Sequence, residues 1–289
     1  MKHPQYIIAA DAKIFDTTEL DQCGITAIDA VQFFEHVQGH VVLRRRHELD
    51  QPDTVLPYRQ FLPYDIFSRI GRDFKRSFFA YRRKPSAGEP ELHGKVSIGI
   101  GGHVDAVNAV WFDDGSLDLV TTLAKSSLGE KVEELDILIG DIKVPEIHKK
   151  EMFPQWAPKL VDTVSILLDN SDNVGKRHFA IVSNNIVPEG TVLACAEDEL
   201  ETLGFLTHEE LTATTEAGEP VYNLEGWTKI CLEHFRKAVT AKTKLSISGA
   251  TETGAYKELV QEAVDVEVSS AVSSNANVKL SQKSAPAGE

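Results

Sequence analysis

The chain has 289 residues and a net charge of −14 at pH 7, with 44 acidic and 30 basic side chains. This length is enough to bury a sizeable core, whereas the acidic balance excludes non-specific coating of nucleic acid, which needs a basic surface. Because there is neither an apolar run near 20 residues nor a signal-peptide pattern, we expect a cytoplasmic protein with no membrane partner.

The first 54 residues predict a small N-terminal extension. Residues 6–10 form a short apolar run typical of a strand. Residues 27–37 carry apolar side chains at helical spacing and predict an amphipathic helix. Residues 41–46 indicate a strand that runs into a basic cluster, and Pro52 and Pro57 then mark a loop.

Residues 55–240 predict the main domain. Strands are expected at 62–68 and 78–82, with a turn at 71–76 between them. The alternation of Val96, Ile98 and Ile100 with small residues indicates another strand. It ends at Gly101 and Gly102, where glycine allows the backbone to approach a neighbour closely.

An acidic helix is the most informative element of this domain. At about 100° per residue, Leu128 and Val132 share one side, and Glu130, Glu133 and Glu134 share the other. Three clustered carboxylates repel one another, so they lie either in open water or around a cation. Oxygen-only ligands suit Mg²⁺ or Mn²⁺. The alternative is a solvated acidic face.

The second half of the domain predicts a hairpin and a closing helix. Apolar runs at 161–168 and 178–184 flank the turn-rich residues 169–175, as in a hairpin with a long functional tip. Residues 227–239 have apolar side chains at helical spacing, which predicts the last helix. The order of elements fits an α/β/α sandwich.

Residues 241–289 are rich in Ser, Ala, Thr, Gly and Glu and offer little surface to bury. We therefore expect a flexible tail, with a short helix at 255–266. Cys23, Cys195 and Cys231 are scattered, without the paired spacing of a zinc site, and are interpreted as reduced and structural.

A strand, a glycine break, a loop and a helix with clustered glutamates together resemble the Nudix hydrolase family. Glu130, Glu133 and Glu134 match the three helix carboxylates of the Nudix box, and Ile137 matches its last apolar position. Further runs resemble a bacterial and phage Nudix-like subgroup, at residues 58–64, 79–83, 92–94, 101–103, 167–179 and 226–233. The resemblance implies an α/β fold, a Nudix-like α/β/α sandwich with a mixed sheet.

The chain departs from the family pattern at four positions. Gly129 stands where the family has arginine, Lys131 where it has an apolar residue and Asp136 where it has the glycine that ends the helix. Thr121 stands where the family has an earlier glutamate. In the family that arginine orients the carboxylates, so the departures bear on whether this degenerate box is active.

The resemblance implies Mg²⁺- or Mn²⁺-dependent hydrolysis of a nucleoside-diphosphate-linked compound or a related phosphoanhydride. Glu130, Glu133 and Glu134 would hold the metal, with Glu133 as the catalytic base. The alternative is a Nudix-fold module without turnover that binds a nucleotide or a protein. The sequence leaves the substrate and homo-oligomerisation open.

Basic and loop residues supply candidates for substrate binding. Guanidinium groups match phosphate oxygens in bidentate fashion, which suggests Arg82 and Arg83 as diphosphate ligands. We also select Lys176 and Arg177 after the hairpin tip, and Gly101, Gly102 and His103 after the strand. For each of these the competing interpretation is structural: charges at a strand end, or a histidine that hydrogen-bonds its loop.

Overall fold

The computed structural model describes residues 5–16, 20–49, 57–71, 75–86, 90–156 and 163–247, and side chains as far as residue 237. Most of the predicted tail, with the helix expected at 255–266, lies outside the described residues. The division of the chain at residues 54/55 and 240/241 stays a prediction. Within the described ranges, no helix is both long and apolar enough to cross a membrane.

Strands and helices are interspersed along the chain. The strands are β1 Tyr6–Asp11, β2 Cys23–Asp29, β3 Val41–Arg45, β4 Tyr58–Ile70, β5 Arg76–Arg83, β6 Val96–Ser97, β7 Gly99–Ile100, β8 Leu135–Ile139, β9 Ile142–Lys143, β10 Thr163–Asp169, β11 His178–Ile186, β12 Thr191–Cys195 and β13 Leu200–Thr207. The helices are α1 Ala30–Gln38, α2 Arg46–Leu49, α3 Leu119–Glu134, α4 Glu146–Trp156, α5 Asn173–Arg177, α6 His208–Leu211 and α7 Gly226–Ile247.

Ten described strands form one mixed sheet, with the central order β13-β5-β4-β11-β10-β2. β4 and β11 are parallel, whereas β10 and β11 form the predicted antiparallel hairpin. β1 pairs with both β3 and β4, and β2 pairs with β10. The N-terminal segment therefore contributes strands to the same sheet. β8, β9 and β12 form a second, three-stranded sheet.

The helix predicted at 27–37 begins later than its apolar spacing suggested. Residues 27–29 belong to β2, which pairs with β10 over seven residues. The Asp29 side chain accepts a hydrogen bond from the Gln32 N–H at 2.9 Å and caps α1. Asp29 is therefore both the last residue of β2 and the N-cap of α1.

Helices cover both faces of the sheet. Successive residues of a strand point to opposite faces, so neighbouring residues of β11 pack against different helices. Phe179 and Ile181 of β11 pack in one core with α1 and α3. Ala180, between them, packs in a second core with Cys231 and Leu232 of α7. The α/β/α sandwich predicted from the sequence is confirmed.

Helix α3 is fixed to the sheet by a buried ion pair. Lys131 Nζ donates to Asp65 Oδ1 on β4 at 3.0 Å, and both side chains are buried. Asn185 Nδ2 donates to the same oxygen at 3.0 Å, and Ser127 Oγ donates to Oδ2 at 2.7 Å. These contacts satisfy the carboxylate, which a buried charge requires.

A second buried lysine caps the carboxyl end of α3. Lys149 Nζ of α4 donates to the carbonyls of Val132 and Leu135 at 2.9 and 2.7 Å, and to Asp136 Oδ1 at 3.2 Å. The last carbonyls of a helix lack intrahelical partners, and a cation there also complements the helix dipole. α3 therefore ends at Glu134 without a terminating glycine.

Replacing Lys131 with methionine should destabilise the fold by about 3–5 kcal/mol, because it leaves Asp65 buried without its cation. Adding Asp65→Asn should restore part of the loss. Urea unfolding measures both, with the exposed Lys150→Met as the control. A loss below about 1 kcal/mol for Lys131→Met would show that the pair does not hold α3.

Candidate functional site

A cavity of about 590 Å³ opens between α3, the loop after β7, the tip of the β10–β11 hairpin and the start of α7. Seven of the ten site residues selected from the sequence line it: Arg83, Gly101, Gly102, His103, Glu130, Glu133 and Glu134. The helix glutamates and the glycine pair, separated by the long loop after residue 105, thus meet at one site.

The glycine pair allows α3 to approach the loop. A Cβ at Gly102 would collide with the Glu130 carboxyl group, and one at Gly101 would collide with the Pro63 carbonyl oxygen. The Pro63 carbonyl belongs to the backbone and cannot move aside, whereas the Glu130 carboxyl group is the end of a flexible side chain and could. Gly101 therefore lies tightly against β4, and Gly102 places its backbone against Glu130 of α3.

Glu130 and Glu134 form a hydrogen-bonded pair of carboxyl groups in the cavity wall. Burial and the neighbouring Glu133 raise the pKa of Glu130 to about 7. Burial and the adjacent Glu130 raise the pKa of Glu134 to about 8. Glu133 is exposed at the cavity rim. Glu130 and Glu134 are half-buried, so the acidic face of α3 is only partly solvated.

Arg83 is the cation that acts on Glu134 of this pair. Its Nε donates to Glu225 Oε1 at 2.9 Å, and its Nη2 donates to the Tyr81 hydroxyl at 3.2 Å. Tyr81 and Glu225 raise the pKa of Arg83, and Arg83 in turn opposes the rise in the pKa of Glu134. The guanidinium therefore remains charged beside the carboxyl pair.

Three of the selected cations lie outside the cavity lining. Arg82 points to the other side of β5 from Arg83 and pairs with Glu201 on the adjacent strand at 3.0 Å. Lys176 is exposed on α5. Arg177 Nη2 lies 3.8 Å from a Glu91 oxygen, and its Nε donates to the Asn173 carbonyl. Strand alternation separates Arg82 from Arg83. On α5, Val174 and Gly175 line the cavity, whereas Lys176 and Arg177 do not.

Two histidines meet on the opposite wall from Arg83. The Nε2 atoms of His103 and His178 lie 3.2 Å apart, and His178 Nδ1 donates to the Val174 carbonyl at 2.7 Å. Since the carbonyl can only accept, Nδ1 carries the proton of a neutral His178, and its unprotonated Nε2 accepts a hydrogen bond from His103. Burial, and then His178, hold the pKa of His103 well below its usual value.

Several lining residues were missed from the sequence. Arg46, which the sequence placed in a basic cluster, adjoins the site and lowers the pKa values of Glu130 and His103. Asp169, Glu225 and Trp227 line the remaining wall. The sequence signals for Asp169 were its place at the start of a turn-rich hairpin tip and within the run 167–179 that resembles the Nudix-like subgroup.

The donor set of α3 fits a hard divalent cation. Glu130, Glu133 and Glu134 offer only oxygen atoms, and burial and mutual repulsion disfavour the ionised forms of the two half-buried carboxyl groups, which a bound cation would offset. In the described part of the chain, no three His, Cys, Asp or Glu side chains already stand as a metal-binding group. Glu133 would join the other two from the rim.

The structure resembles the crystal structure of Tm1382, a candidate Nudix hydrolase, with a TM-score of 0.51 and 16% sequence identity. The match covers 81% of this chain and 99% of that chain. The fold is that of the Nudix hydrolases. The sequence resemblance to this fold is thereby confirmed.

Two further solved structures match with lower TM-scores, and one relative matches in sequence. A Nudix hydrolase from Alicyclobacillus acidocaldarius has a TM-score of 0.39 at 12% identity, covering 61% of this chain and 90% of that chain. A MutT/nudix family protein from Enterococcus faecalis has a TM-score of 0.36 at 11% identity, covering 67% and 66%. Protein YmaB of Bacillus subtilis (strain 168) is 25% identical over 177 residues, 61% of this chain and 70% of its own length. No protein-family model matches the chain.

The departures from the Nudix box have separate structural outcomes. Lys131 pairs with Asp65, and Asp136 accepts hydrogen bonds from Lys143 and Lys149. Gly129 lies inside α3, and a Cβ built there meets no atom within 4 Å. The Cβ of an arginine at position 129 would therefore fit without a clash.

Without divalent cations, the free energy of unfolding should fall as pH rises from about 4.5 to about 8. The folded-state pKa values of about 7 for Glu130 and about 8 for Glu134 lie above the ordinary value of 4.5. The folded protein therefore keeps protons that the unfolded chain has lost, and this contribution disappears as pH rises through the folded pKa values.

Urea unfolding across this pH range, with a chelator present, measures the slope. The double variant Glu130→Gln with Glu134→Gln should flatten it, whereas Glu146→Gln on the exposed face of α4 should not. An unchanged slope in the double variant would contradict the assignment to this pair.

Proposed function

We propose that this chain is a metal-dependent hydrolase of a nucleoside-diphosphate-linked compound or a related phosphoanhydride. The observation that carries this proposal is the convergence of Glu130, Glu133 and Glu134 with Arg83 on one cavity of a Nudix fold. Carboxylates that can hold a divalent cation and an arginine that can bind phosphate oxygens are the two requirements for diphosphate hydrolysis.

Glu130, Glu133 and Glu134 would hold Mg²⁺ or Mn²⁺. The bound cation supplies positive charge that offsets the diphosphate and favours ionisation of water. The proton shared by Glu130 and Glu134 must leave when the cation binds, so affinity for the cation should rise with pH.

The remaining roles follow from position. Glu133 is exposed at the rim, where its carboxylate can take a proton from the attacking water, and we assign it as the general base. Arg83 uses Nε and Nη2 in bonds to Glu225 and Tyr81, which fixes the guanidinium plane with Nη1 left for phosphate oxygens. Arg46 would bind the diphosphate from the N-terminal segment.

The second candidate function is a nucleotide-binding or protein-interaction module without turnover. Gly129 favours it, because a glycine cannot supply the arginine side chain that orients the carboxylates in the family. Three glutamates at the cavity favour catalysis. Metal binding, turnover and nucleotide binding must therefore be measured separately.

Mg²⁺ or Mn²⁺ should raise the thermal stability of the wild type, because a ligand selective for the folded state stabilises it by mass action. Glu130→Gln with Glu134→Gln should remove the shift. Differential scanning fluorimetry measures both, with Glu151→Gln on α4 as the control. A shift that persists in the double variant would place the cation elsewhere.

Glu133→Gln should lower the hydrolysis rate by roughly 10²-fold or more while nucleotide binding changes by only a few-fold. A positioned base acts on the transition state more than on the bound substrate. Product release from a panel of nucleoside-diphosphate derivatives measures the rate, and calorimetry measures binding. Equal losses in both would indicate a binding role for Glu133.

Gly129→Arg separates a decayed enzyme from a dedicated binding module if the wild type binds nucleotide without turnover. A Cβ at this position meets no atom within 4 Å, so the backbone of α3 does not oppose the substitution, and the variant should fold. We expect hydrolysis to appear or increase, because an arginine can orient the carboxylates. Gly129→Ala controls for the gain in helix propensity, about 1 kcal/mol. Continued inactivity with intact binding favours the module.

A further inference from the structure

The cavity wall formed by the end of β10 and the start of α7 contains a buried carboxylate. One of its two oxygens accepts no hydrogen bond from the described residues. Asp169, the last residue of β10, is 2% exposed and lines the cavity. Its Oδ1 accepts hydrogen bonds from the N–H and Oγ of Ser171, at 2.9 and 2.5 Å. Its Oδ2 accepts none from the described residues. Oδ2 is not one of the fully buried atoms that lack a partner, so it is open to the cavity and can accept a hydrogen bond from solvent or a ligand there.

The surroundings of Asp169 hold this oxygen in place. A Cβ at Gly226 would lie 2.6 Å from Asp169 Oδ2, and a Cβ at Gly175 would collide with the Asp169 carbonyl oxygen. Arg59 Nη2 donates to Asn170 Oδ1 at 2.6 Å and braces the adjoining turn. The first residue of α7 thus faces the carboxylate, and the positive end of the helix dipole favours negative charge there.

An aromatic wall adjoins this acceptor. Trp227 follows Gly226 and lines the cavity. Its ring meets the Tyr64 ring edge to face, with centroids 5.3 Å apart and planes at 87°. It also lies 6.5 Å from the His178 ring at 86°. An aromatic side chain beside a buried acceptor is suited to a flat heterocycle with an N–H donor at its edge.

We propose that Asp169 selects the nucleobase of the substrate by accepting a hydrogen bond from an amino group on the base. This inference rests on the proposed function, which supplies the nucleotide. A carboxylate oxygen can only accept when ionised, so it repels a keto oxygen in the same position. The site therefore prefers a base with an amino group to its keto counterpart.

Matched nucleotides test this preference without turnover. Calorimetry with the full chain and Mg²⁺ compares the dissociation constants of ADP with IDP, and of CDP with UDP. At least one amino member should bind about tenfold or more tightly than its keto partner, because a polar site strongly rejects an analogue that leaves it unpaired. Differences below about twofold in both pairs would overturn the proposal.

Asp169→Asn supplies the decisive variant. The asparagine oxygen can accept the two Ser171 bonds, which turns its NH₂ group toward the cavity. The preference should then disappear or invert in favour of the keto member. Asp105→Asn removes the same charge from a different wall of the cavity and should keep the wild-type preference. An unchanged preference in Asp169→Asn would overturn the assignment, and the wild-type comparison stands even if this variant fails to fold.

The outcomes separate this inference from the proposed function. Hydrolysis without any amino preference would overturn the role of Asp169 and leave the hydrolase intact. An amino preference that Asp169→Asn inverts, in a protein without turnover, would support the role of Asp169 and remove the hydrolase. If none of the four nucleotides binds, the role of Asp169 is overturned.

Discussion

The buried ion pair between Lys131 and Asp65 is the interaction on which the site depends. It joins α3 to the centre of the sheet at the turn of helix that carries Glu130 and Glu134. A buried charge pair repays its desolvation only in good geometry with every remaining bond made, and Ser127 and Asn185 complete it here. Rotation of α3 by one residue, about 100°, would leave both buried charges without a partner. The pair therefore also fixes which side of the helix faces the cavity.

The site concentrates charge that the fold alone does not neutralise. Glu130 and Glu134 carry raised pKa values because burial and mutual repulsion disfavour their ionised forms. Arg83 offsets this only in part, since Glu225 already binds it. Such an arrangement costs stability, and binding sites commonly retain that cost because a ligand offsets it. The strong anchoring of α3 by Lys131 and Lys149 is what allows the cost to be tolerated.

The sequence predicted elements better than it predicted contacts. Strand alternation and helical spacing located β1, β4, β5, the β10–β11 hairpin and α7, because those patterns are local. The predicted start of α1 was wrong. The apolar spacing of residues 27–29 suits a strand as well as a helix, and their pairing with β10 makes them part of a strand. The ion pair was not predicted, because Asp65 and Lys131 are 66 residues apart in the sequence. A lysine on an acidic helix is expected to be exposed to solvent. Arg82 and Arg83 were selected together, although adjacent strand residues face opposite sides.

The departures from the Nudix box differ in kind, and that difference bears on activity. Asp136 replaces a helix-ending glycine, but Lys149 caps the helix instead, and Lys131 replaces an apolar contact with a satisfied ion pair. Both substitutions preserve the position of α3 by other means. Gly129 differs from both, because it removes a side chain without a clash and makes no side-chain contact of its own. The position of α3 is therefore maintained, and the departure at Gly129 bears on how the glutamate side chains are oriented on it.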